Sequence, residues 1–167
     1  AETALAAYVG QPAARLFSSG YAANVGSLQA LAEPGDVLFS DALNHASLID
    51  GCRLSRARVE RYRHTDLGHL RDLLVAQRSK AHRAFIVTDA LFSMDGDVAP
   101  LAALRTLANE FEASLYVDEA HSVGVLGPAG RGACAAARVQ PDVLIGTLGK
   151  AFGLAGAFAA SDADTVA

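Results

Sequence analysis

Lys150 stands in the run Gly146-Thr147-Leu148-Gly149-Lys150-Ala151-Phe152-Gly153, directly after the apolar triplet Val143-Leu144-Ile145. A lysine held where a strand gives way to a glycine-rich loop is partly withdrawn from water. That lowers its pKa and leaves a neutral amine free to condense with an aldehyde. Upstream, Leu115-Tyr116-Val117-Asp118-Glu119-Ala120-His121 ends another apolar strand in a group of ionisable side chains. Ligands of parallel sheets bind at the carboxyl ends of the strands. A carboxylate there can keep a heteroaromatic ring nitrogen protonated, so that the ring draws electrons from a substrate carbanion, and Asp118 is placed to do so. Singly, Lys150 reads as a surface lysine, Asp118 as a helix N-cap and His121 as a turn residue. Together they point to pyridoxal 5'-phosphate, held by a Schiff-base lysine with an aspartate at its ring nitrogen.

Three further polar groups follow strands. Ser18-Ser19-Gly20-Tyr21-Ala22 lies at a strand-to-helix junction, where free backbone N–H groups and the helix dipole favour a phosphate, although a serine N-cap is the commoner use. His45, in Asn44-His45-Ala46-Ser47, could lay its ring over a flat cofactor. Ser93, in Leu91-Phe92-Ser93-Met94-Asp95-Gly96-Asp97, ends a fourth strand in this reading and could donate to a phenolic oxygen. Alone, His45 would be a structural histidine and Ser93 a turn residue.

These groups need a scaffold of alternating strands and helices. Strand-like runs occur at 15–17, 36–39, 59–62, 84–88, 115–117, 143–145 and 156–160, with helix-like stretches near 22–32, 46–57, 67–79, 100–112 and 131–138. The alternation predicts an α/β fold: a mostly parallel, doubly wound sheet of about seven strands with helices on both faces. The last strand follows Gly153 too closely for a helical crossover and is expected to run antiparallel.

Half of the 167 residues are apolar, enough for one core, and the net charge of −4 with scattered basic residues leaves no nucleic-acid footprint. The cluster Arg53, Arg56, Arg58, Arg61 and Arg63 reads as a solvated face. Cys52 and Cys134 lack metal-ligand spacing and read as reduced thiols of a cytoplasmic protein. No apolar run approaches the roughly 20 residues that span a bilayer, so no membrane association is expected. The Gly149-Lys150 pair lacks the other residues of a Walker loop, and Gly124, Gly127 and Gly130 are spaced GxxGxxG rather than as a dinucleotide fingerprint. Asp118, Glu119 and His121 could in principle ligate a metal, but no second spaced His pair completes such a site, which leaves a metal as the minor alternative. Both ends read as cut, which suggests a piece of a longer enzyme.

The order and spacing of six motifs carry a resemblance along nearly the whole chain. They are Ser18 to Asn24, Asn44-His45-Ala46-Ser47, Thr88 to Gly96, Val117 to Gly124, Gly130-Arg131-Gly132 and Gly146 to Gly153. The sequence resembles the α-oxoamine synthases, pyridoxal-phosphate enzymes of fold type I. The resemblance implies that Lys150 carries the cofactor, Asp118 pairs with its ring nitrogen and His45 stacks on the ring. It implies also that His121 and Ser93 approach the phenolic oxygen, that Gly20, Tyr21 and Thr147 hold the phosphate, and that Asp89 supports the set. Activity is implied to be decarboxylative condensation of an amino acid, L-alanine for preference, with an acyl thioester on CoA or a carrier protein, pimeloyl-CoA foremost. The final proton donor is left open between His121 and Lys150. Phe158 and the Thr-Leu-Gly-Lys form lean toward the biotin-pathway member over glycine C-acetyltransferase, 5-aminolevulinate synthase and serine palmitoyltransferase. A non-catalytic partner subunit of the same fold is a rival of another class, against which Lys150 counts. Family members are more than twice this length and act as homodimers. Residues 1–167 are therefore expected to be the central part of the large cofactor-binding domain, without the N-terminal arm and C-terminal domain, and inactive alone.

Overall fold

Strands with both faces covered read as unbroken apolar runs, and Ala84-Phe85-Ile86-Val87-Thr88-Asp89 is buried at every position. The computed structural model describes residues 1–166 and joins seven strands into one sheet. These are β1 (Ala13–Phe17), β2 (Val37–Asp41), β3 (Arg58–Tyr62), β4 (Ala84–Asp89), β5 (Ser114–Asp118), β6 (Val143–Thr147) and β7 (Ala157–Ser161). Their spatial order is β1-β7-β6-β5-β4-β2-β3. Only β7 opposes its neighbours, pairing antiparallel with β6 and β1, as the short 148–156 connection requires.

The helices are α1 (Glu2–Val9), α2 (Gly20–Leu31), α3 (Ala46–Leu54), α4 (Leu67–Gln77), α5 (Leu101–Glu110), α6 (Ala133–Ala137) and α7 (Ala163–Val166). On one face, Leu28 of α2 and Leu48 and Cys52 of α3 pack against Leu38, Phe85, Val87, Tyr116 and Ile145. On the other, α4, α5 and α6 cover Phe39, Ile86, Leu115 and Val117, and α1 extends that layer over Leu144, Phe158 and Ala160. Alternate residues of each strand thus feed opposite cores, as the two-residue period dictates. On β6, Gly146 pairs with Phe158, and a Cβ there would collide with the Phe158 ring, so only glycine fits.

Several boundaries differ from the sequence reading. The stretch 131–138 yields only Ala133–Ala137, because Gly132 at φ 100° and Arg138 at φ 55° stop the helix at both ends. The stretch 46–57 stops at Leu54, after which the Ser55 hydroxyl bonds the Cys52 carbonyl and Arg56 turns to φ 65°. Helix α2 starts before position 22, so Gly20 and Tyr21 form its first turn, with Ser19 as N-cap accepting from the Ala22 N–H at 3.1 Å.

The sheet direction brings Asp41, Asp89, Asp118 and Thr147, the last residues of β2, β4, β5 and β6, to one edge. The end of β1 and the Gly20 turn lie at the same edge, since β1 and β6 both oppose β7.

Candidate active site

Asp118 is only 4% exposed, and each carboxylate oxygen has a partner. Asn24 Nδ2 donates to one at 2.6 Å and the Ala120 N–H to the other at 2.8 Å. Asn24 in turn donates to Ser47 Oγ at 2.9 Å and accepts from Tyr116 Oη at 3.1 Å, so α2, α3 and β5 converge on this carboxylate. Burial pushes the Asp118 pKa up. Its hydrogen bonds and the charges of Lys150 and His45 oppose that rise without cancelling it.

Lys150 lies in the loop after β6, and its Nζ meets His121 Nε2 at 2.7 Å. Desolvation lowers the Lys150 pKa, with Asp118 and Asp89 pulling the other way. His121 is also lowered, by burial and by the nearby lysine charge. The His121 shift favours a neutral ring, whose Nε2 accepts from the lysine in the tautomer that carries its proton on Nδ1. Asp89 pairs in register with Asp118 on the adjacent strand. Burial, and then the Asp118 charge, push Asp89 up to about 7.

His45 caps α3, its Nδ1 accepting from the Ser47 N–H at 3.2 Å, while its own N–H donates to Asp89 at 2.7 Å. Asn44 fastens this corner, accepting from the Asp89 N–H at 2.9 Å and donating to the Val87 carbonyl at 2.8 Å. His45 and Ser93 line one cavity of about 410 Å³ with Asp89 and Phe92. Ser93 does not end a strand as expected, because β4 stops at Asp89 and Ser93 rides the turn closed by the Leu91–Val98 bridge.

At the far side, Thr147 Oγ1 accepts from the Gly149 N–H at 3.3 Å and lies 3.9 Å from where a Gly20 Cβ would be. The Gly20 and Tyr21 N–H groups open α2 and have no acceptor among the described residues, as first-turn donors do. The Tyr21 side chain turns away to Asp50, its hydroxyl donating at 2.8 Å.

This arrangement fits pyridoxal phosphate. Two neighbouring buried carboxyls, both pushed toward protonation, face few cations, and a cationic ring nitrogen against Asp118 would relieve them. Lys150 offers the amine for the aldehyde, and the free N–H pair with Thr147 suits a phosphate. Asn24 and Asn44 belong to this constellation although the sequence reading gave them no separate role. A polar residue at a core-facing position of α2 was the available signal for Asn24, which is fully buried.

Comparison with known proteins supports the same cofactor. The family described as "Aminotransferase class I and II" matches residues 1–167. The 8-amino-7-oxononanoate synthase of Aromatoleum aromaticum is 56% identical over 167 residues, 99% of this chain and 43% of that protein. That of Coprothermobacter proteolyticus is 52% identical over 161 residues, 95% of this chain and 41% of the relative. The chain therefore spans less than half the length of the curated relatives it matches. Among solved structures, a lysine-to-alanine variant of serine palmitoyltransferase from S. paucimobilis with a bound PLP–myriocin aldimine superposes with a TM-score of 0.93 at 36% identity, covering 99% of this chain and 42% of that one. The 8-amino-7-oxononanoate synthase of Francisella tularensis gives a TM-score of 0.85 at 36% identity, covering 98% and 47%.

Proposed function

Because the chain belongs to the class I and II aminotransferase family, and within it to the pyridoxal-phosphate-dependent α-oxoamine synthases, we propose that the whole protein is a C-acyltransferase of biotin synthesis. It would join L-alanine to a pimeloyl thioester of CoA or a carrier protein, releasing carbon dioxide and the thiol and forming 8-amino-7-oxononanoate. The observation that carries this reading is the Lys150–His121 contact at the edge where Asp118 is buried.

Pyridoxal phosphate would supply an electron sink for the amino acid's α-carbon. The remaining work falls to the chain. Asp118, fixed by Asn24 and Ala120, would hold the proton on the ring nitrogen, and that positive nitrogen would in turn keep the buried carboxylate ionised. Lys150, with its lowered pKa, would anchor the cofactor and, once displaced by substrate, take the α-proton as a neutral amine. His121 stands 2.7 Å from that amine and can share the proton until the product carbon needs it. His45 would stack on the ring, Ser93 and His121 approach its phenolic oxygen, and Gly20, Tyr21 and Thr147 hold its phosphate.

Residues 1–167 are in this reading the central part of the large domain, inactive without the rest of the chain, in a cytoplasmic homodimer. The apolar Leu43 and Met94, exposed beside the His45–Ser93 cavity, give a second subunit something to cover. Among the described residues no helix is long and apolar enough to cross a membrane. A second reading, serine palmitoyltransferase, has the higher TM-score in its favour. Backbone likeness does not read an acyl chain, however, and the sequence relatives at 52 and 56% identity outweigh it.

Two measurements on the full-length enzyme test the proposal. Borohydride reduction should attach the pyridoxyl group to Lys150, and Lys150→Ala should abolish both that link and turnover. Trapping on Lys80, the only other lysine of the sequence, would overturn the assignment. Thiol release across Gly, Ala and Ser against acetyl, pimeloyl and palmitoyl thioesters should peak at Ala with pimeloyl. A peak at Ser with palmitoyl would select the second reading.

A further inference from the structure

His64, in the 63–66 connection between β3 and α4, sits between two carboxylates that come from distant parts of the chain. Its Nδ1 lies 2.9 Å from Asp41 Oδ1 at the end of β2, and its Nε2 lies 2.8 Å from Asp97 Oδ2 in the turn after β4. Only an imidazolium donates from both nitrogens at once. The Phe92 ring meets the imidazole edge-on with centroids 4.4 Å apart, which fixes its plane. Burial alone would lower the His64 pKa, but the hydrogen bonds and charges of Asp41 and Asp97 outweigh it and hold the pKa above its ordinary value.

Both carboxylates lead to the walls of the candidate site. Asp41 accepts from the Leu43 N–H at 2.9 Å and its carbonyl accepts from the Asn44 N–H at 3.3 Å, which sets the corner entering His45. Its second oxygen accepts from the Thr65 N–H at 2.9 Å, binding it to the His64 segment itself. Asp97 belongs to the turn that carries Ser93, where the Phe92 N–H donates to the Asp97 carbonyl at 3.0 Å and the Gly96 N–H to the Phe92 carbonyl at 2.8 Å. The second Asp97 oxygen is buried without a partner among the described residues, where the His64 contact is the one that holds this carboxylate. Ser93, with Met94 and Asp95, is otherwise exposed and has no side-chain hydrogen bond among the described residues.

We propose that His64 is a positioning residue: it clasps Asp41 to Asp97 and so fixes the turn carrying Ser93 against the corner carrying His45, the two walls between which the cofactor ring would lie. The clasp stands on its own contacts, whereas its consequence for the cofactor rests on the function proposed above.

The test uses full-length protein stripped of pyridoxal phosphate, with amide hydrogen exchange followed in residues 91–98 and in β4 and β5. Glutamine carries its donors on one nitrogen and cannot span carboxylates on opposite sides of a ring. His64→Gln should therefore speed exchange at Phe92 and Gly96 by about tenfold, with β4 and β5 unchanged. Asp97→Asn should act in the same direction, and the double variant should go no further than the larger single effect, because both changes break one link. Unchanged exchange in 91–98, fully additive effects, or acceleration spread equally into β4 and β5 would overturn the clasp. After reloading, His64→Gln should still trap the pyridoxyl group on Lys150 but release unreduced cofactor several-fold faster than wild type. Equal release rates would overturn the positioning role, while a wild type that takes up no cofactor would defeat the proposed function and leave the exchange result standing.

Discussion

Two buried aspartates at opposite edges of the sheet have opposite electrostatics. Asp36, at the edge where β2 begins, is 1% exposed and surrounded by donors: the Glu33 N–H at 3.1 Å, the Arg83 N–H at 3.0 Å and the Arg83 guanidinium at 2.8 Å. Burial alone would raise its pKa, but these partners outweigh it and hold the carboxyl below its usual range. Asp118, at the edge where β5 ends, has two neutral donors and no guanidinium, and its pKa is raised. The charge of Asp36 is balanced within the fold, and that of Asp118 is not. Asp36 has its counter-ion within the fold, whereas in the proposed function Asp118 would receive one from the bound cofactor.

The sharpest way to break this contrast is to neutralise each aspartate in the full-length enzyme. Asp118→Asn should bind pyridoxal phosphate yet lose turnover by at least about a hundredfold, since an amide cannot hold the ring nitrogen protonated. Asp36→Asn should leave kcat within a few-fold and instead cost about 2 kcal/mol in urea unfolding, because the Arg83 guanidinium loses its charged partner. Intact turnover in loaded Asp118→Asn would remove that residue from the ring-nitrogen role.

Acid stability gives a smaller effect of opposite sign at the two edges. The folded-state pKa of Asp36 is depressed, so its contribution is present above the unfolded value and is lost as pH falls through the folded one. For Asp89, raised to about 7, the sign reverses. Between the unfolded value near 3.9 and the folded value the native state binds the extra proton, so rising pH lowers stability across this window and has no further effect above it. In cofactor-free enzyme, Asp89→Asn should flatten the fall in thermal midpoint between about pH 4 and pH 7, while Asp36→Asn should weaken the loss of stability in acid. A wild-type midpoint that rises steadily from pH 4 to pH 7, unaltered by Asp89→Asn, would place the Asp89 proton elsewhere.

The fold was legible where burial dictates pattern. Strands β4 and β6 are covered on both faces and read as unbroken apolar runs, and the short link after Gly153 foretold an antiparallel β7. Lys150 and Asp118 drew attention as candidates because each stands just beyond or at the end of such a run, whereas Thr147 entered only through the family resemblance. Short helices were less so, since the Ala-rich run 133–137 gives no sign that Gly132 and Arg138 adopt left-handed φ at its ends. Glu119 looked like a possible ligand but is fully buried and accepts from the Ala133 and Cys134 N–H groups, capping α6. The His64 clasp was invisible because its partners lie 23 and 33 residues away, and only the folded sheet brings them together.

His45 belongs to both sides of the contrast, which makes its substitution the finest test. Its Nδ1 caps α3, a fold-supporting contact, while its ring lines the cavity with Ser93 and would stack on the cofactor. His45→Ala and His45→Phe both delete the cap, at a cost of about 1 kcal/mol each, so thermal melts of the two variants should agree closely. They differ in the ring alone. Phenylalanine keeps a flat face for the cofactor, so His45→Phe should retain roughly five- to tenfold more kcat/KM than His45→Ala, the size expected of one aromatic contact. The visible absorption band of the bound cofactor should likewise stay nearer to wild type in the phenylalanine variant. Equal losses in two equally stable variants would show that the ring nitrogens of His45, and not its flat face, are what the site uses.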